Sequence, residues 1–589
     1  MDNNEGRAEG PGGAGEKRKK RNMGRSEWSR HMVDKRARNE EQNEAKRRKI
    51  ENGEEVSGPI YATHFSQEDI ESEQRRPKKK VAVLIGYSGT GYHGMQLSDK
   101  EKTIEGDLFT AFVAAGAISK ANAADPKKSS LVRCARTDKG VHAAGNVVSL
   151  KLIVEDPDII KKINEKLCPQ IRVWDIQVTN KGFSCYQMCD SRVYEYLIPS
   201  YCFLPPHPST YLGKKIVELA EKEGDLEAYK ARQEEVATYW NDVDNERIKP
   251  ILDTVPEDIR ALVEKALYFD EEKSQEDESA GQKEESQPQE STQAEDVAQQ
   301  TSSEGKPADL EQTAQDQSTE TSAEEEARRR RIYEAVKKVK TAYTEAKRAY
   351  RIPAARLDRL QATLDKYVGT NNFYNYTIQK TYNDPSAKRF IKSFKVDRDP
   401  ILINGTEWLS LKVHGQSFMM HQIRKMVAMA TMLVRAGCDP QRIVDSYGPT
   451  KIAIPKAPGL GLLLERPIFD GYNKKATTTL GKEPIDFSKY EKEIEEFKQR
   501  EIYDRIFREE EQANAFSVFF NHIDHFSQET FLYITSGGMA ASKPPMPPTG
   551  ATESEQKEVS KPNPKSQREA LAAVEAESDD EGADAEEGG

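Results

Sequence analysis

Apolar positions along the chain fall into short runs that switch between two periods. Val81 to Gly86 is a short apolar run and Val147 to Val154 a run rich in Val and Leu, both of strand length. Thr103 to Ile118 and Ile159 to Leu167 read as helices, Ile171 to Val178 as a strand, and Ser191 to Ile198 as an alternating strand with Tyr194 and Tyr196 on one face. Residues 211 to about 268 are polar and helical. Ile332, Val336, Val339, Tyr343, Ala346 and Tyr350 then recur at steps of four and three, the spacing of an amphipathic helix. Leu357, Leu360, Leu364 and Tyr367 extend a further helix, followed by strands at Phe390 to Val396 and Trp408 to Val413 and a helix at Phe418 to Arg435. A loop from Ala457 runs into a buried strand that ends near Arg466, and residues 484 to about 533 are again helical and charged. Helices and strands occur in both halves without an internal sequence repeat, so the pattern predicts an α+β fold.

Between these runs lie stretches too poor in apolar groups to offset the entropy of ordering them. Residues 1–78 carry basic clusters at Lys17 to Arg21, Lys35 to Arg38 and Lys46 to Lys49 and read as a disordered tail, an import signal or a phosphate-binding arm. Residues 269–323 are rich in Glu, Gln, Ser and Thr and read as a disordered acidic insertion within a helical region 211–356. Residues 537–589 read as a disordered tail. The remainder divides into halves at 79–210 and 357–482 and a helical extension at 483–536. With 36% hydrophobic and 32% charged residues, much of the 589-residue chain lies outside any packed core. Its net charge of −11 argues against a nucleic-acid partner only if spread evenly, and it is segregated. Six scattered cysteines and a polar start predict an intracellular protein, and no run approaches the length of a membrane span.

The densest candidate chemistry is Arg133 to Gly145, where Asp138-Lys139-Gly140 forms a turn between strand-like runs. Two readings fit: an Asx-turn with surface arginines, or a carboxylate kept ionised by Arg136 and Arg133 and able to act as a nucleophile. Tyr87 to Gln96 is a Gly-rich loop interleaved with aromatics, suited to close backbone approach and base stacking or simply to a turn. Arg424 lies partly in the apolar stripe of its helix, where it needs an anionic partner or must snorkel to water, while the methionines around it suit core filling. Cys185, Cys189, Cys202 and His207 are four possible ligands of a structural zinc, with buried free thiols as the competing reading. No Walker A or Rossmann glycine pattern occurs.

The string RCARTDKGVHAAGNVVSLKL resembles the signature of the TruA-type tRNA pseudouridine synthases. GYSGTGYHGMQ, TIEGDL, SRVYEYLIPS, GTNNFYNYT, SFMMHQIRKMVAMAT and PKAPGLGLLLER follow in the family's order and resemble its eukaryotic branch most. The resemblance implies two ferredoxin-like halves forming one continuous antiparallel sheet with flanking helices and a basic cleft between them. It places the catalytic carboxylate at Asp138, its basic partner at Arg424, a stacking and proton-moving tyrosine at Tyr194 and a nucleotide-holding arginine at Arg136. Leu462 falls against the target base, and Tyr87 and Gln96 of the Gly-rich loop are taken as further substrate contacts. Implied too are tRNA and other structured RNAs as partners, several modified positions, no required cofactor and a monomer, while the basic clusters of the N-terminal tail point to the nucleus. A non-catalytic tRNA-binding or folding protein is the alternative, with a partner-recruiting scaffold and an RNA glycosylase as further rivals.

Overall fold

The structure, a computed structural model, describes residues 59–266, 312–378 and 380–542. Residues 59–62 form a turn closed by the Ala62 N–H on the Pro59 carbonyl, and all that follows concerns the unit that begins at Thr63. The basic clusters of the N-terminal tail, most of the acidic insertion and most of the C-terminal tail lie outside the described residues.

Ten strands build one sheet: β1 (Lys79–Tyr87), β2 (Val132–Arg133), β3 (His142–Leu152), β4 (Ile171–Val178), β5 (Ser191–Pro199), β6 (Gly369–Asn372), β7 (Lys388–Val396), β8 (Ile401–Ile403), β9 (Thr406–Gly415) and β10 (Leu462–Ile468). Their order is β4-β1-β3-β10-β5-β9-β7-β6, with β2 beside β3 and β8 beside β9. The apolar runs become the strands buried on both faces, as in β1, where Val81 to Ile85 are all fully buried. The expected continuous sheet is present, but it is mixed. β10 pairs antiparallel with β5 and parallel with β3, Leu463 facing His142. The reason is geometric: a strand inserted between two strands that run in opposite senses must be parallel to one of them. β5 also pairs with β9, so a strand from the first half is embedded among strands of the second.

The helices α1 (Ile104–Ala114) and α2 (Ile159–Lys166) belong to the first half, where they contact each other and α2 contacts β4. Thr103 caps α1 by accepting the Gly106 N–H. α3 (Gln312–Ala349) is the amphipathic helix; it begins inside the span read as acidic insertion. Likewise Gln67–Ser72, within the span read as N-terminal tail, is a short helix capped by Ser66. α4 (Ala354–Asp365) packs on α5 (Gln422–Arg435), every residue of which is buried. Met426, Met429 and Met432 on α5 are core filling, each at most 1% exposed.

The C-terminal extension locks the centre of this sheet. Glu195 on β5 and Glu465 on β10 are both turned toward Lys498, whose Nζ lies 2.6 Å from Glu465 and 3.4 Å from Glu195. The Tyr503 hydroxyl donates to Glu195 at 2.7 Å, and the Ser410 hydroxyl donates to it from β9. Burial works against both carboxylates, yet Lys498, the Glu465 carboxyl and the two hydroxyls hold Glu195 below its ordinary value, whereas burial and the Glu195 charge push Glu465 up. Removing the cation would leave two buried carboxylates facing each other. Lys498→Met is therefore expected to cost about 3–5 kcal/mol of stability near neutral pH in denaturant or thermal unfolding. Because ionisation of a carboxyl held high in the folded state costs more stability as pH rises, the deficit should shrink on mild acidification.

Candidate active site

Asp138 stands on the turn between β2 and β3, whose geometry is set by glycine. Gly140 has a φ of +75°, which only glycine adopts without strain, and the Asp138 carbonyl accepts the Val141 N–H at 3.1 Å. The Gly-rich loop closes over this turn. Gly94 has a φ of +88°, and a Cβ there would come 2.8 Å from the Thr137 carbonyl; the same carbonyl accepts the Met95 N–H at 3.1 Å. The loop's glycines thus do permit close approach, to the backbone that carries Asp138.

Tyr87 and Tyr92 serve the same support. Both are essentially buried, so neither offers a ring to a base in this state. The Tyr87 hydroxyl lies 2.9 Å from the Thr137 hydroxyl and accepts from the Asn146 amide at 3.2 Å, while that amide also donates to the Ala135 carbonyl. Burial pushes the Tyr87 phenol up to about 12. Tyr87, expected as a substrate contact, is instead a buried strut behind the turn that carries Asp138, its hydroxyl occupied within the protein. Gln96, at the other end of the loop, is exposed.

The two arginines nearest in sequence are not the partners of Asp138. Arg133 pairs at 2.5 Å with the buried Glu105 at the start of α1, and Arg136 is exposed. The polar and charged groups that face Asp138 come from the second half. His421 Nδ1 lies 3.3 Å from the Asp138 carboxylate, and Arg424 and Lys456 add their fields. Burial acts to raise the Asp138 carboxyl, but these three outweigh it and hold it below the usual carboxylate range. The side chain is nevertheless 30% exposed, so an ionised oxygen remains open to a ligand.

Each partner is held in turn. His421 precedes α5 in a left-handed conformation, φ +59°, so the helix begins at Gln422 and not at Phe418 as the periodicity suggested. The Gln422 side chain accepts the Met419 N–H at 2.9 Å and ties this bend. Arg424 is 2% exposed, and its Nε donates to the Ala457 carbonyl at 2.7 Å. A Cβ on Gly459 would lie 3.6 Å from its guanidinium carbon, so the loop that holds Lys456 also lies against Arg424.

Tyr194, on β5 between Val413 and Leu464, forms the aromatic wall with Phe418, ring centroids 5.3 Å apart and nearly perpendicular. Burial foremost, with Tyr87 and Asp138 adding, lifts its phenol well above the ordinary tyrosine value. Leu462 opens β10 opposite Tyr196, whose hydroxyl donates to the Pro458 carbonyl at 2.6 Å. Arg192, two residues before Tyr194, donates to the carbonyls of Cys134 and Gln416 and so spans both sides of the site.

The possible zinc ligands belong to two places. Cys185 and Cys189 pack in the cluster around Cys134, and their thiols donate to the carbonyls of Val132 and Ser191. Cys202 and His207 line a small cavity with Trp240, where His207 meets Asp244 at 3.1 Å.

The sequence pointed to Asp138, Tyr194 and Arg424, and the structure gathers them. It did not single out the roles of His421, Lys456, Thr137 or Arg192. For His421 one signal was available: it stands three residues before Arg424, where a helix start brings both to one end.

A family model described as tRNA pseudouridine synthase matches residues 364–470. The tRNA pseudouridine synthase 1 of Eremothecium gossypii is 44% identical over 464 residues, covering 78% of this chain and 76% of that protein. The same enzyme from Kluyveromyces lactis is 46% identical over 78% of this chain and 72% of its own, and that of Schizosaccharomyces pombe 40% over 82% and 90%. An open, ionised carboxylate backed by cations from the opposite half, on a chain this similar along most of its length, has one consistent assignment: the chain belongs to the TruA-type tRNA pseudouridine synthase family.

Proposed function

We propose that the chain isomerises uridine to pseudouridine in tRNA with Asp138 as its catalytic carboxylate. The observation that carries this is an aspartate held ionised yet 30% exposed, in a site walled by Tyr194 and Phe418. The reaction breaks the C1′–N1 glycosidic bond and joins C1′ to C5; the proton lost from C5 balances the one gained at N1. Whether the carboxylate bonds to the ribose, adds to the pyrimidine or promotes a glycal, it must be charged when the uridine arrives. His421, Arg424 and Lys456 supply that condition. Because the Tyr194 phenol is held neutral by burial, its part is to stack on the base and to donate a hydrogen bond or proton. Arg136 and Gln96 are exposed and available to the extruded nucleotide, and Leu462 presses on the base.

A protein that only bound RNA would gain nothing from an exposed carboxylate, which repels phosphate. That consideration weighs against the non-catalytic reading. The isomerisation is redox-neutral, so we propose that no cofactor takes part. The likeness of residues 417–431 and 455–466 to the eukaryotic branch supports a monomer that accepts several tRNA positions and other structured RNAs.

Asp138→Asn should abolish tritium release from 5-tritiated uridine in tRNA while tRNA binding persists; release at the wild-type rate would refute the assignment. Arg424→Met should move the acid limb of the kcat/KM profile to higher pH. The sign follows from linkage: Arg424 favours the ionised form, so without it protonation begins at a higher pH. We further propose nuclear import through the basic clusters between Lys17 and Lys49. A reporter fused to residues 1–55 should then enter the nucleus; retention in the cytoplasm counts against import.

A further inference from the structure

The helix α3 is long, is packed against the protein from Ile332 to Ala346, and contributes none of the groups described around Asp138. Ala335, Val339, Ala342 and Ala346 form its buried stripe, set against the helical segments between Tyr239 and Val263. The Tyr343 hydroxyl donates to Asp244 at 2.7 Å, and at the far end Lys347 donates to Ser517 at 3.1 Å. The apolar face is therefore spent on the protein itself.

The opposite face is cationic. Residues 327–341 hold seven cations and one carboxylate in a chain whose net charge is −11. Arg330 is paired with Glu334, but Arg331, Lys337 and Lys338 are exposed and form no ion pair among the described residues. On a helical wheel these three fall in one exposed sector about 120° wide, which also holds Glu334, the partner of Arg330, with Tyr333, 56% exposed, at its edge. From Arg328 to Lys338 the cations extend over about 15 Å of helix axis. A solvated face mixes both signs, whereas this one is nearly all positive, and a small anion needs far fewer donors. A membrane surface would call for the apolar stripe that is already buried.

The helix also leads away from the sheet. Its end joins β9 at the start of that strand, where the Ile352 N–H donates to Glu407 at 2.8 Å, while Tyr194 pairs with Val413 farther along. Arg331 lies about 28 Å up the helix from Tyr350.

We propose that the exposed face of α3 is a second RNA-binding surface, which grips the phosphate backbone of a part of the tRNA remote from the target uridine. The inference rests on the reading of tRNA as substrate. It gives the chain a contact that rewards a folded RNA of tRNA size over a short one, without reading its sequence.

The test is the triple variant Arg331→Ala, Lys337→Ala, Lys338→Ala, which keeps strong helix formers at each position. Binding of unmodified tRNA, measured over a salt series, should weaken roughly tenfold near physiological salt, and the slope of log K against log salt should become shallower by about two to three. The value of kcat at saturating tRNA should match the wild type. A minimal stem-loop around the target uridine, too short to reach α3, should react equally with both proteins. An unchanged affinity and slope would overturn the proposal, as would an equal loss on the stem-loop, which would mean general damage. Since binding is read without turnover, a wild-type protein that makes no pseudouridine would strike at the functional reading and leave this comparison standing.

Discussion

The site depends on a charge pairing between segments far apart in the chain. A carboxylate pressed into protein tends to take up a proton, and a buried guanidinium without an anion is costly. Asp138 and the group formed by His421, Arg424 and Lys456 answer each other's difficulty. The His421 hydrogen bond and the two cations keep the aspartate ionised, and the aspartate justifies Arg424 at 2% exposure in the interior. The same pairing couples reactivity to folding, since the anion comes from the first half and its partners from the second. A chain whose halves had not docked would lack a competent carboxylate.

The central strand makes that docking exact. The segment carrying Lys456 and the Ala457 carbonyl, which holds Arg424, runs within a few residues into β10. β10 is flanked by β3, which follows the Asp138 turn, and by β5, which carries Tyr194. Asp138, Tyr194 and the loop of Lys456 are thus attached to three adjacent strands, and the Ala457 carbonyl ties Arg424 of α5 to the same seam. On those strands Glu195 and Glu465 are turned to Lys498 from the C-terminal extension, so a displacement of the seam would strand buried charge. Rigidity at the site is therefore imposed in part by packing on an element that supplies none of the groups around Asp138.

Strands were legible in two ways: burial on both faces writes an apolar run, as at Val81 to Ile85, and a half-buried edge strand writes alternation, as at Ile171–Val178, which was read to the residue. The motifs likewise marked Asp138, Tyr194 and Arg424. What escaped were properties fixed by non-local contact. Arg133 and Arg136 looked like partners of Asp138 because they are near in sequence, yet Arg133 is claimed by Glu105 from α1. Tyr87 looked available for stacking, yet Thr137 and Asn146 take its hydroxyl from behind the turn. The left-handed bend at His421 hides inside a sequence with helical periodicity, because one residue's φ leaves no trace in hydrophobic spacing. The parallel pairing of β10 with β3 is a consequence of where the strand inserts, which periodicity does not encode.

The same locality resolves the conflict between an acidic chain and an RNA substrate. At physiological salt the screening length is about 8 Å, so a phosphate group responds to the charges in its immediate vicinity and hardly to the chain's total. A net charge of −11 is therefore compatible with RNA binding as long as the acidic residues sit elsewhere on the chain than the contact surfaces. Asp138 is the necessary exception, a negative charge placed where a polyanion must approach. Arg424 and Lys456, whose fields reach its carboxyl, offset that charge from behind, while a side chain 30% exposed leaves the anion open in front. Shielded behind and open in front is the electrostatic profile that the role proposed for this carboxylate asks of it.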